Sequence, residues 1–317
     1  MSPPAAPLSG FLNLDKPIGL TSRDVVNRVV RAFRKPRPKV GHAGTLDPLA
    51  SGVLVVAIGS ATRLIEQVQR QPKSYLATIR LGATSDTLDA DGTITPVPNP
   101  PVPTESQIRD ALAAQVGIID QLPPVYSALR VKGKRAYDLA REGKSVELVP
   151  RPVRIDQLNL IRFEWPFLEI AVECGSGTYI RSIARDVGDD LGCGGLITTL
   201  RRTRIGPFRV DDATPPDPAF LSFDSIIGRL RSPLDAVSDR PHIYVNAGQA
   251  AAIERGQAIE VSSTDLASEI DAGEVAICSP DGSLLALGEF NRSARIVQPR
   301  RVFGVCSTHA SRSPEST

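Results

Sequence analysis

The chain has 317 residues, 41% of them hydrophobic and 23% charged, and a formal net charge of +2; this is an ordinary globular composition, long enough for more than one domain. No apolar run approaches membrane-spanning length, and the start Met1-Ser2-Pro3-Pro4 lacks the charged and apolar regions of a secretory signal, so a cytoplasmic location is expected. Cys174, Cys193, Cys278 and Cys306 form no CxxC pair and there are three histidines, so no metal and no cofactor is expected, and the thiols should be free and buried.

Taken in chain order, residues 1–9 are rich in Pro, Ser and Ala and read as a disordered tail. Asp24 to Phe33 carries a helical stripe of Val25, Val26, Val29, Val30 and Phe33 with Thr21-Ser22 as N-caps. Gly41 to Gly52, GHAGTLDPLASG, follows. An isolated Asp-Pro reads as a turn. Here glycines precede and follow Asp47, Pro48 stiffens its exit, and the apolar run Val53–Gly59 behind it reads as a core strand. That pattern holds a carboxylate on a stiff loop against a sheet, where a catalytic acid belongs.

Tyr75–Leu81 alternates as a strand, and the five prolines between Pro96 and Pro103 make an extended connector. Thr104 caps a helix running to about Gln115. Residues 123–154 are polar and basic, without apolar periodicity after Leu139. Phe167–Cys174 is a strand, and Gly177–Leu191 a turn leading into a helix. Gly192-Cys193-Gly194-Gly195 lacks the spacing and the Lys-Ser/Thr pair of a phosphate loop. After a composition shift near Asp235–Pro241 come short strands at Ile243–Val245, Gln257–Val261, Glu274–Cys278, Leu284–Gly288 and Pro299–Phe303, and then a second tail, 307–317. Strands and helices without regular βαβ alternation give the α+β class.

The near-neutral total conceals three basic clusters: Arg23 to Lys39, Arg130 to Arg154, and Arg201, Arg202 and Arg204. Each alone could be a solvated face; together they suit a polyanion bound along one side.

Blocks that recur in order along the chain resemble the TruB family of bacterial tRNA pseudouridine-55 synthases. They are Leu14-Asp15-Lys16-Pro17, GHAGTLDPLASG, Lys73-Ser74-Tyr75, Thr84 to Gly92, Pro123 to Ala128, Gly177-Thr178-Tyr179-Ile180-Arg181 and Leu200-Arg201-Arg202-Thr203. The resemblance runs from Phe11 to about Phe303. Ala43 departs from a common Thr, and Trp165-Pro166 is idiosyncratic but peripheral. It implies a pseudouridine synthase catalytic domain with a mixed sheet over 10–238, a T-loop-clamping insertion at about 123–154, and a C-terminal small β-barrel (PUA-like) RNA-binding domain over 240–306.

It also implies a chemistry that needs no cofactor: the ribose C1′–N1 bond of a flipped-out uridine breaks and C1′ rejoins the base at C5. Asp47 is then the carboxylate facing C1′, Arg181 its ionic partner, and Tyr75 the stacking aromatic and candidate acceptor of the C5 proton. His42 would occupy the space left by the base, with Tyr179 against the ribose or Asp47 and Leu200 toward the uracil edge. Lys16 and Arg63 would contact phosphate or support loops. The partner is tRNA through its T-arm stem-loop, with no membrane, no obligatory protein partner and a monomer as default. The guide-RNA branch of the superfamily lacks the insertion. A glycosidase would need a second acid, and Asp86, Asp89 and Asp91 read instead as a polar turn supporting the pocket. A non-catalytic RNA chaperone on the same scaffold is the remaining alternative.

Overall fold

The computed structural model describes residues 8–127, 130–131, 134–135, 148–262 and 271–303. Its first part runs β1 (Gly10–Lys16), α1 (Ser22–Arg31), β2 (Val40–His42), β3 (Ala50–Ile58), α2 (Ile65–Arg70), β4 (Lys73–Leu81), β5 (Ala83–Ser85), β6 (Ile94–Pro96) and α3 (Glu105–Ala114). It continues with β7 (Gly117–Gln121), the hairpin pair β8 (Arg130–Val131) and β9 (Lys134–Arg135), β10 (Arg151–Glu164), β11 (Phe167–Cys174), α4 (Ile180–Asp190), β12 (Gly195–Ile205) and β13 (Phe208–Arg209).

Among the described residues the larger sheet has nine strands in the order β1-β3-β12-β4-β11-β10-β7, with β2 beside β3 and β13 beside β12. It is mixed: β12 runs parallel to β3, placing Leu200 opposite Ala50, and antiparallel to β4, placing Arg202 opposite Tyr75. The apolar run of β3 has its cause in burial on both faces. Val53, Val55 and Ala57 pack on one side with Phe11 and Phe208, while Leu54, Val56 and Ile58 pack on the other against Val25, Val26 and Val29 of α1. Full burial of each such Val, Leu, Ile or Phe side chain stabilises by about 1.5–3 kcal/mol. β4 instead alternates, and Tyr75, Ala77, Ile79 and Leu81 face α3 and α4.

Helix starts follow local chemistry. Thr21 and Asp24 form a reciprocal capping box at α1, and Thr104 and Gln107 form one at α3, where the sequence places a cap. Two expectations change. Ser9 is no tail residue: it is buried, and its hydroxyl bonds Ser60 Oγ at 2.8 Å and accepts from Ala61 N at 2.9 Å. Residues 1–7 and 304–317 of the expected tails, with Cys306, lie outside the described residues. The basic segment 123–154 ends inside β10, whose Arg151 pairs with Gln121 of β7, because the outward positions of an edge-side strand are polar too. Residues 128–129, 132–133 and 136–147 of that segment lie outside the described residues.

The C-terminal part holds α5 (Phe223–Gly228), β14 (His242–Tyr244), α6 (Ala247–Glu254), β15 (Ile259–Glu260), β16 (Gly273–Cys278), β17 (Leu284–Asn291) and β18 (Ile296–Val302). Its strands form a five-stranded sheet in the order β14-β16-β17-β18-β15 around Ile243, Ile253, Val275, Ile277 and Leu285, as a PUA-like module requires. The sequence reading contains no α6, whose Ala-rich stretch has no apolar stripe; the Asn246–Gln249 capping box is the local signal that marks it. Ala276, Leu284 and Leu287 pack into the same cluster as Phe11, Val53 and Val55, so the module shares a core with the larger sheet. Cys174, Cys193 and Cys278 are free and buried, and no described helix is long and apolar enough to cross a membrane.

Candidate active site

The loop bearing Asp47 leaves β2 and enters β3, and its two legs are fixed along their length. Ala43 N donates to Val55 O at 2.8 Å. Ser22, at the start of α1, accepts from Leu46 N at 2.9 Å and donates to Leu46 O at 3.1 Å. Gly19 N donates to Pro48 O at 2.8 Å, and Ala50 N to Asp47 O at 3.1 Å. At Gly52, φ is +101° and a Cβ would lie 2.1 Å from Arg202 O, so only glycine fits.

Beneath the loop, Lys16 is fully buried, and its ammonium donates to Pro17 O at 3.0 Å and Leu20 O at 2.7 Å. Burial pushes its pKa down to about 8, against the attraction of Asp47. Lys16 therefore braces the 17–20 turn, with its ammonium turned inward to those carbonyls.

Arg181, in the first turn of α4, joins two carboxylates. Its Nη2 lies 3.0 Å from Asp47 Oδ2 and its Nη1 lies 3.1 Å from Asp89 Oδ2. It also donates to Thr87 O and Tyr126 O, both at 2.9 Å. Arg181 and Asp89 are 8% and 5% exposed, whereas Asp47 is 41% exposed. Asp89 thus neutralises Arg181 inside the protein, while Asp47 pairs with the same guanidinium and faces open space. Walled by protein yet open at the mouth, Asp47 has its pKa raised by burial, lowered in part by Arg181, and raised again by Asp89. Asp89 is the residue that sequence reasoning placed only in a supporting turn; three neighbouring aspartates looked alike there. Contacts select it, since Thr87 Oγ1 and Asp91 N both donate to Asp89 Oδ1, at 2.6 and 3.2 Å.

The cleft beside Asp47 has a volume of about 500 Å³, and Tyr75, Leu200, Tyr179, Arg181 and Lys73 stand in its walls. Tyr75 and Leu200 come from adjacent strands and are each 8% exposed. Burial pushes the Tyr75 phenol above its ordinary pKa, and the nearby Arg202 guanidinium opposes that rise. Tyr179 is held through its backbone by the buried side chain of Gln121, which accepts from Tyr179 N at 2.8 Å and donates to Tyr179 O at 3.1 Å. Lys73 donates to Gln69 O at 2.6 Å and Gln71 O at 2.9 Å, with its pKa pushed down to about 8, chiefly by burial.

Two other expected residues lie elsewhere. His42 sits half-buried at the end of β2, two residues before Gly44, which opens the wall. Arg63 is at the seam with the C-terminal module: its guanidinium stacks on Phe303 at 5.1 Å, and its carbonyl accepts from Arg301 at 3.0 Å. It does not border the cleft.

The third basic cluster is not a free patch. Arg201 pairs with Asp15 at 2.8 Å, Arg204 with Glu173 at 3.4 Å, and Arg202 is 2% exposed. Those partners are far off in sequence, so counting charges locally could not find them. The first cluster does stay open: Arg23, Arg31, Arg34, Lys35 and Lys39 are exposed, with no ion pair among the described residues.

The family model "TruB family pseudouridylate synthase (N terminal domain)" matches residues 31–180, and "tRNA pseudouridylate synthase B C-terminal domain" matches residues 181–215. A tRNA pseudouridine synthase B of Mycobacterium sp. (strain KMS) is 45% identical over 286 residues, covering 88% of this chain and 92% of that protein. The chain belongs to the TruB family. Another TruB relative, tRNA pseudouridine synthase B of Syntrophomonas wolfei, is 38% identical over 305 residues, covering 94% of this chain and 99% of that one. The TruB chain also resembles the solved structure of an H/ACA RNP bound to a substrate RNA containing 2′-deoxyuridine. There the TM-score is 0.69 at 25% identity, over 95% of this chain and 86% of that one. A Cbf5-Nop10-Gar1 complex matches with a TM-score of 0.69 at 25% identity, over 96% and 91%. The family boundary between 180 and 181 falls inside α4, so Asp47 and Arg181 lie in different matched regions and meet only in the fold.

Proposed function

We propose that this TruB enzyme converts uridine 55 in the T-loop of tRNA to pseudouridine, acting alone, as a monomer, in the cytoplasm. The observation that carries the reading is the carboxylate of Asp47, fixed on a rigid loop, paired with a buried guanidinium and open to a cleft walled by Tyr75 and Leu200. Asp89 is taken up by Arg181, Thr87 and Asp91, and Glu66, the other carboxyl bordering the cleft among the described residues, is exposed on α2. A hydrolase needs a second carboxyl set to activate water; an isomerase that keeps the detached base does not.

In this mechanism the target nucleotide leaves its stack and enters the cleft with C1′ toward Asp47. Arg181 opposes the effect of burial and favours the ionised form of Asp47, in which the carboxylate can attack C1′ or stabilise its oxocarbenium character as the bond to N1 breaks. The uracil turns against Tyr75 and presents C5; C5 attacks C1′, displacing the Asp47 carboxylate where it has bonded there, and the C5 proton is lost while N1 gains one. Atoms and electrons balance without oxidant or donor. Tyr75 accepts the C5 proton, directly or through water; its phenol is protonated at rest, so its own proton passes to N1 and the C5 proton restores it. Tyr179 borders the ribose and Leu200 the base edge, while His42 meets the RNA behind the flipped nucleotide. Residues 123–154 clamp the T-loop, the PUA-like module over 240–306 contacts RNA beyond it, and the open cations of α1 and the turn after it meet backbone phosphates.

The test is tritium release from T-arm stem-loop RNA carrying 5-tritiated uridine. Wild type should release tritium and Asp47→Asn should not, while both bind the RNA. Binding by wild type without release from any tRNA would leave the RNA-chaperone reading in its place.

A further inference from the structure

Arg202 is a buried cation with no carboxylate partner among the described residues. Such a charge is costly unless polar groups solvate it, and the groups that do so here form a pattern. Nε donates to Val53 O at 2.8 Å, Nη2 to Gly44 O at 3.1 Å, and Nη1 reaches Thr45 O at 3.5 Å. Gly44 and Thr45 lie on the chain entering Asp47, and Val53 lies on the chain leaving it. Tyr75 stands opposite Arg202 in the β4–β12 register, both residues line the cleft, and the guanidinium charge acts on its phenol. One planar group with a fixed fork of donors therefore holds both legs of the loop bearing Asp47 and stands beside Tyr75.

We propose that Arg202 is the positioning residue of this active site, tying the Asp47 loop and Tyr75 into one frame that fixes the distance between the group acting at the ribose and the group acting at the base. The inference rests on the roles given above to Asp47 and Tyr75. The physical need is plain: one carboxylate and one phenol must address two ends of the same nucleotide, and a displacement of about 1 Å costs on the order of 10²-fold in rate. An apolar side chain could fill the same volume but could neither hold three carbonyls nor place a positive charge beside the phenol. A lysine keeps the charge yet offers a point donor that cannot span them. The same positive charge also favours the ionised form of Tyr75, which suits a proton acceptor.

The experiment compares wild type, Arg202→Lys, Tyr75→Phe and the double variant as full-length proteins under single-turnover conditions, with RNA affinity and melting measured alongside. Arg202→Lys should lower the rate at saturating RNA about 10²-fold, with affinity within about twofold of wild type. The double variant should lose less than the product of the two single losses, because both substitutions break the same frame. Folded Arg202→Lys with wild-type rate and affinity, or with weakened RNA binding at an unchanged rate, would overturn the proposal, as would strict additivity. Should Arg202→Lys not fold, amide hydrogen exchange on Tyr75→Phe answers the question alone. Removing the phenol should speed exchange at Ala43, Leu46 and Ala50, and unchanged exchange there would sink the frame. Wild type failing to release tritium would instead overturn the functional reading, and the exchange result is independent of it.

Discussion

Replacing Asp89 by Asn tests whether Arg181 is held by two carboxylates or by one. The change is nearly isosteric, and the amide oxygen can go on accepting from Thr87 Oγ1 or Asp91 N. Its NH₂ would then face Arg181 Nη1, donor against donor, where a 3.1 Å ion pair stood between side chains 5% and 8% exposed. Removing one partner of a buried pair costs about 3–5 kcal/mol. Arg181 keeps Asp47, Thr87 O and Tyr126 O, which places this case near the lower end. At roughly 2–4 °C per kcal/mol for a large domain, the melting temperature should fall by about 6–12 °C. Asp89 also raises the pKa of Asp47, so its neutralisation should move the acid limb of the single-turnover pH–rate profile to lower pH. Differential scanning fluorimetry and tritium release between pH 4 and 8 read both effects. A variant that melts within about 1 °C of wild type and keeps the same acid limb would refute the three-membered cluster.

Other consequences follow from the same geometry. Asp47 has a raised pKa in the fold, so the folded state disfavours its charge and its contribution to stability falls as pH rises through the carboxylate range. Asp47→Asn should therefore melt above wild type at pH 7.5, and the gap should close as pH drops toward the ordinary value of 3.8; a variant that melts lower at pH 7.5 would contradict this. Arg31→Gln and Arg34→Gln should each reduce the slope of log affinity for tRNA against log salt by about 0.9 if each meets a duplex phosphate, and an unchanged slope would remove α1 and the turn after it from the interface. Gly52→Ala should destabilise by more than about 1 kcal/mol, since φ is +101° and its Cβ would lie 2.1 Å from Arg202 O; an unchanged melt would mean the loop can relax.

What the sequence determined by itself is what depends on near neighbours along the chain. The N-caps at Thr21 and Thr104 were readable because a cap acts within the first turn of its own helix. The rigid approach to Asp47 was readable because glycine and proline restrict their own backbone, and β3 because a strand buried on both faces must be apolar throughout. Charge pairing could not be read this way. Arg201 finds Asp15 and Arg204 finds Glu173, so a cluster that counts as a cationic patch in sequence is neutralised in space. Arg181 reaches Asp89 across 92 positions, Gln121 clasps Tyr179 across 58, and Arg202 meets Gly44 across 158. Electrostatic and hydrogen-bond energies depend on distance and burial, and both are set only when β12 lies between β3 and β4 and α4 packs against them. The sequence supplied the carboxylate and its stiff loop; the sheet order decided which cations and carbonyls surround it.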